Sequence, residues 1–186
     1  MSSQPQTTQP PAKLEEGESL VNILTKGIKV KALSGPSKDA KNVLDGSLET
    51  CWTAENRVSP SCRFAIVPSL TFHLEQPVKL GSLHSLALTF AGGFAPIKAS
   101  LVAKIDPPPS CDETGADALT VVTLFPLDGN GKQYFAIGPT CSSSSSSPPG
   151  SDQRETDSFR LDMEGSTDAF GRITVYGIEL YAIQKV

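Results

Sequence analysis

Histidine is nearly absent from this chain of 186 residues, with two copies, and bases are outnumbered: 16 Lys and Arg against 20 Asp and Glu, for a formal net charge of −4. Scarce histidine removes the commonest general base, and neither His73 nor His84 has a catalytic companion in the sequence. The missing basic surplus argues against nucleic-acid binding, which rests on neutralising phosphates; the densest basic group is only Lys26, Lys29 and Lys31. No window approaches the roughly 18 consecutive apolar residues of a membrane-spanning helix, so no membrane partner is expected. Cys51, Cys62, Cys111 and Cys141 form no CxxC pair, which argues against structural zinc. There is no GxSxG elbow, phosphate-cradling loop or HExxH helix. The chain is expected not to be an enzyme.

The N-terminus, MSSQPQTTQPPAKLEEGE, lacks both a charged n-region and an apolar h-region, pointing to an unsecreted protein of nucleus or cytoplasm with its cysteines reduced. Hydrophobic residues make up 38 %, below the roughly 45–50 % apolar usage (glycine included) of a wholly globular chain. Polar stretches account for the difference. Residues 1–19 mix Ser, Gln, Thr and Pro without apolar periodicity, so nothing there offsets the entropy of ordering the backbone, and a disordered tail is expected. One domain is then expected over 20–186, with loop insertions at about 104–117 (KIDPPPSCDETGAD) and 140–157 (TCSSSSSSPPGSDQRETD).

Between these segments the pattern is strand-like. In SLTFHL, Leu70, Phe72 and Leu74 share one parity, and HSLALTF does the same with Leu86, Leu88 and Phe90 before Gly92 and Gly93. ALTVVTLF and KQYFAI flank PLDGNG, whose Asp128-Gly129 and Asn130-Gly131 pairs predict a hairpin. SFRLDM puts Phe159, Leu161 and Met163 on one face. GRITVYGIELYAI changes phase between Ile173/Val175 and Ile178/Leu180, predicting a bulge near Gly177. Only KDAKNVL reads as a helical turn. Short alternating strands without long helices predict an all-β fold, an antiparallel β-sandwich or jelly roll.

Two motifs stand out. In NVLDGSLETCW, Asp45 and Gly46 suit a tight turn, and Trp52, the one tryptophan, reads as a core plug ahead of a binding-rim residue. In TDAFGR, Gly171 suits positive φ; either Phe170 projects as an anchor beside a charged pair, or it caps the sandwich while Asp168 pairs with Arg172. The same two readings cover Phe94 after Gly92-Gly93. Phe94, Asp168, Phe170 and Arg172 form the candidate partner-binding rim.

NVLDGSLETCW resembles the signature of galactose-binding-like (discoidin, or coagulation-factor C-type) domains. LTFAGGF and STDAFGRITVYGIEL look like segments of the intracellular orphan-nuclear-receptor-associated repressor proteins, so the resemblance runs from about residue 27 to the end, apart from the insertions. It implies a jelly-roll, non-catalytic and monomeric protein-interaction module, acting on transcription by contact with a nuclear receptor or another nuclear partner. Relatives of the fold also imply two alternatives: carbohydrate or small-ligand binding of the discoidin type, or a subunit of a ubiquitin-ligase or ciliary-transport assembly. No cofactor is expected beyond a structural calcium, which many such domains hold through positions matching Asp45, Thr50 and Glu179. Here Ser47 stands where the family usually has a second aspartate, leaving turn without metal as the first reading of that loop.

Overall fold

A computed structural model describes residues 18–55, 67–105, 117–137 and 153–185. Among these residues ten strands follow one another: β1 (Glu18–Asn22), β2 (Lys29–Ala32), β3 (Trp52–Glu55), β4 (Ser69–Lys79), β5 (Leu83–Phe90), β6 (Lys98–Ile105), β7 (Asp117–Leu124), β8 (Lys132–Ala136), β9 (Glu155–Glu164) and β10 (Arg172–Lys185). They build two antiparallel five-stranded sheets. One runs β1-β10-β5-β8, with β3 sharing the β1 edge of β10; the other runs β2-β4-β9-β6-β7.

Alternation decides which side of each strand is buried. Phe72, Phe159, Leu161 and Met163 from one sheet meet Leu86, Leu88, Phe90, Ile178 and Leu180 from the other in a single core, all at 1 % exposure or less. Each such side chain stabilises the fold by roughly 1.5–3 kcal/mol through burial. β10 keeps both its apolar phases inward because its register against β5 shifts between Val175 and Gly177, the bulge that the sequence predicts. KDAKNVL forms a short 3-10 helix over Ala40–Leu44, burying Ala40, Val43 and Leu44.

The predicted PLDGNG hairpin is absent. β7 pairs with β6 in one sheet and β8 with β5 in the other, so residues 125–131 cross between layers instead of joining neighbours. Neither Gly129 nor Gly131 takes positive φ, as a two-residue hairpin turn would require. Asp128 and Asn130 instead spend their side chains on backbone amides elsewhere, the Gly93 and Gly92 N–H groups.

Cys51 is a free, partly buried thiol. Cys62, Cys111 and Cys141, the 1–17 part of the N-terminal tail and the serine run lie outside the described residues, as does most of each insertion.

Candidate functional site

Three loops meet at one end of the sandwich: 91–97 after β5, 125–131 after β7, and 165–171 after β9. The first turns through Gly93 at φ +82°, closed by the Phe94 N–H donating to the Ala91 carbonyl. The second is fastened to it through Asp128 and Asn130, while the Gln133 carboxamide holds both backbone groups of Leu127. The third is laced to the first: the Thr167 N–H donates to the Ala95 carbonyl, and the Ala95 N–H to the Thr167 hydroxyl. These cross-loop bonds make one surface out of three segments far apart in sequence.

Asp168 organises the third loop. Its carboxylate accepts the backbone N–H groups of Phe170 and Arg172, and the Arg172 guanidinium donates Nε to Oδ2 at 3.0 Å and Nη2 to Oδ1 at 3.2 Å. Hydrogen bonding from Arg172 holds the Asp168 carboxyl below its ordinary value, and the same contact raises Arg172. Gly171 takes φ +75°, as the turn demands. Arg172 also lies over two rings, 5.0 Å from the Phe94 centroid and 5.4 Å from that of Phe170. Phe94, Asp168, Phe170 and Arg172 are thus brought into one cluster, and features of both sequence readings coexist in it: the ion pair forms, yet Phe170 remains 80 % exposed.

Sequence reasoning missed the surroundings of this cluster. Ile97, Phe125 and Leu127, on the same loops, are 58–62 % exposed. The signal was present as apolar side chains at non-strand positions beside Pro96 and Pro126. Arg172 is already committed to Asp168 and to two rings, so the rim offers apolar and aromatic area around a neutralised charge, not an anion receptor.

The Asp45 loop is built differently. Asp45 accepts the Ser47 N–H and the Thr50 hydroxyl, and these bonds, Thr50 foremost, hold its carboxyl below the usual value. Gly46, at φ +72°, completes the turn. Glu179 does not join them. Lys132 Nζ stands 2.8 Å from its carboxylate, and the Tyr181 hydroxyl donates to it. Burial pushes Glu179 up, but these two hydrogen bonds outweigh burial and leave it lowered. Burial, then Glu179, pushes Tyr181 well above the ordinary phenol value. In this structure both Asp45 oxygens accept from the loop's own donors, and Glu179 is engaged by Lys132 and Tyr181. Among the described residues no group of three or more His, Cys, Asp and Glu is placed to hold a metal ion.

Trp52 is the core plug, with no exposed surface. His84 lies 3.3 Å from the Ser85 hydroxyl, but Ser85 is fully buried and out of a substrate's reach. Burial lowers the His84 pKa, opposed by Glu18.

No protein-family model matches the chain. It is similar to the nuclear receptor 2C2-associated protein of Xenopus laevis, at 24 % identity over 166 residues, 87 % of this chain and 98 % of that one. Similar proteins of the same name are found in Bos taurus (25 % over 146 residues, 78 % and 80 % of the two chains) and Mus musculus (28 % over 141 residues, 75 % and 76 %). Among solved structures, the chain superposes on the family 32 carbohydrate-binding module from C. perfringens NanJ in complex with galactose (TM-score 0.59, 15 % identity, 88 % and 99 % covered). It also superposes on chitosan-binding module 1 of a Paenibacillus chitosanase/glucanase (TM-score 0.58, 16 % identity, 87 % and 99 % covered). The fold is a galactose-binding-like β-sandwich, as the resemblance implies.

Proposed function

We propose that this chain is a non-catalytic interaction module that binds another protein through the rim of Phe94, Phe170 and Arg172. We place it in the nucleus or cytoplasm, where it regulates transcription by contact with a nuclear receptor or another nuclear partner. The observation that carries this reading is Phe170: 80 % exposed, on a loop over-determined by Asp168, with exposed Ile97, Phe125 and Leu127 on neighbouring loops. A large aromatic fixed in solvent on a rigid loop matches the anchors that carry interface energy, and a clustered apolar surface of this kind marks a contact site. The sequence-similar relatives are named for association with a nuclear receptor, which supports a protein partner.

The fold neighbours favour a second reading, sugar binding, since they include modules that bind galactose and chitosan. Immobilised wild-type chain and a Phe94→Ala/Phe170→Ala variant, offered native nuclear extract and separately a glycan array, distinguish the two. A protein retained by wild type and lost by the variant supports the interaction reading. Selective glycan binding with no protein retained would replace it.

A further inference from the structure

The opposite end of the sandwich carries a second surface. β4 pairs with β2 and β9 as far as His73, then parts from β2 and bulges away from β9 until Val78. His73 stands opposite Ser158 and Val78 opposite Thr156, so β4 takes five steps (73 to 78) where β9 takes two (158 to 156). Among the described residues, Leu74, Glu75, Gln76 and Pro77 consequently have no paired residue in β2 or β9. Facing them is β1, which among the described residues is an edge strand paired with β10 alone.

Between the two lies a cleft of about 370 Å³, with Val21, Ile23, Ile28, Leu74, Val78 and Ile183 in its walls. Val21 is 40 % exposed there. Among the described lining residues Glu75 is the one that carries a charge, joined by neutral polar groups such as Gln76 and Gln184. The Glu75 carboxylate disfavours carboxylate and phosphate groups beside it and favours a cation. A strand segment without neighbours presents N–H and C=O groups that another extended backbone can satisfy.

We propose that this cleft docks an extended segment of a partner protein that alternates apolar and basic residues. The segment's backbone pairs along Leu74–Gln76, one aliphatic or aromatic side chain enters the cleft, and a neighbouring lysine or arginine meets Glu75. The site lies at the pole away from the rim and does not depend on the rim's partner.

The test uses the full chain, isotope-labelled for methyl and aromatic NMR, with two blocked hexapeptides, one alternating lysine with leucine and the other glutamate with leucine. The lysine peptide is expected to shift the methyls of Val21, Ile23, Leu74, Val78 and Ile183 saturably, to leave the Phe94 and Phe170 signals in place, and to weaken with salt. Glu75→Lys, at an exposed position, is expected to cut lysine-peptide affinity by about tenfold and to admit the glutamate peptide. Filling the cleft with Val21→Trp should remove both responses while the remaining spectrum stays folded. The proposal is overturned by no shift at millimolar peptide, by equal binding of both peptides, or by shifts confined to the rim. Shifts of the same methyls on concentrating the protein alone would also overturn it, making the occupant a second copy.

Discussion

The Arg172 guanidinium lies over the rings of both Phe94, at 5.0 Å, and Phe170, at 5.4 Å, while its donors grip Asp168. One cation therefore fixes two aromatics contributed by loops about 75 residues apart in sequence. Arg172→Lys keeps the charge but loses the planar fork, and with it both the stacking and the two-point contact. Partner capture should fall as far with Arg172→Lys as with Phe94→Ala. Phe170→Ala, at an exposed position, should move Tm by no more than about 2 °C; a larger drop would return Phe170 to the core.

Acid should act on the rim late. Asp168 has its pKa lowered in the folded chain, so its contribution is present above the unfolded value of about 3.9 and is lost as pH falls through the lower, folded one. Capture measured from pH 7 down to pH 4.5 should thus be insensitive to this carboxyl. Asp168→Asn should weaken capture across that whole range; a variant indistinguishable from wild type would remove Asp168 as organiser of the loop.

Trp52 should dominate stability. It is fully buried, and truncating such a residue to alanine costs about 3–5 kcal/mol, or some 6–20 °C in Tm for a domain of this size. Among the described residues its indole N–H meets no hydrogen-bond partner, so Trp52→Phe, which gives up packing volume and no protein bond seen there, should cost far less. As the one tryptophan, it should report unfolding by a red shift of its fluorescence.

Two glycines with similar backbone angles should respond differently to alanine. A Cβ on Gly35, at φ +79°, would stand 2.7 Å from the Thr53 carbonyl oxygen, whereas one on Gly46, at φ +72°, meets nothing within 4 Å. Gly46→Ala should cost only the left-handed strain, about 1–2 kcal/mol. Gly35→Ala must also displace β3 and should melt at least about 3 °C lower than Gly46→Ala. Equal melting points would mean that the Gly35 loop yields freely.

Calcium should have no effect on melting. An ion bound at a hundred times its Kd would add about 2.7 kcal/mol, several degrees in Tm. Exchanging EDTA for millimolar calcium should instead leave the transition unchanged, because the Asp45 oxygens already accept from Ser47 and Thr50. A rise of several degrees that disappears in Asp45→Ala would restore the metal.

The strands with large alternating side chains, β4, β5, β9 and the two phases of β10, could be read from residue spacing, since period-two burial is what their apolar residues encode. β6 could not. It lies between β7 and β9, but Ala99 and Ala103 share its inward face, and small side chains leave little contrast in the pattern. β1 and β2 are short edge strands with the same difficulty. The false hairpin has another cause: Asp-Gly and Asn-Gly report turn chemistry locally, while the sheet each flanking strand joins is settled by contacts far away in sequence. The rim divided likewise. Phe94 and Arg172 were recognisable singly, but their stacking depends on the meeting of two loops, and Leu127 entered the same surface through a crossing that the hairpin reading excluded.

Glu18 of β1 stands opposite Lys185 of β10, so the described chain enters and leaves the sandwich at neighbouring points. A sandwich whose Glu18 and Lys185 lie side by side can be spliced at those two points into a surface loop of another protein without prising that host apart. Fusions or surface tethers joined directly at Glu18 and Lys185 would likewise emerge together, at the opposite end from Phe170 and beside the Val21 cleft. An immobilised copy would hold its aromatic rim outward, and crowding at the tether would be felt first by the cleft.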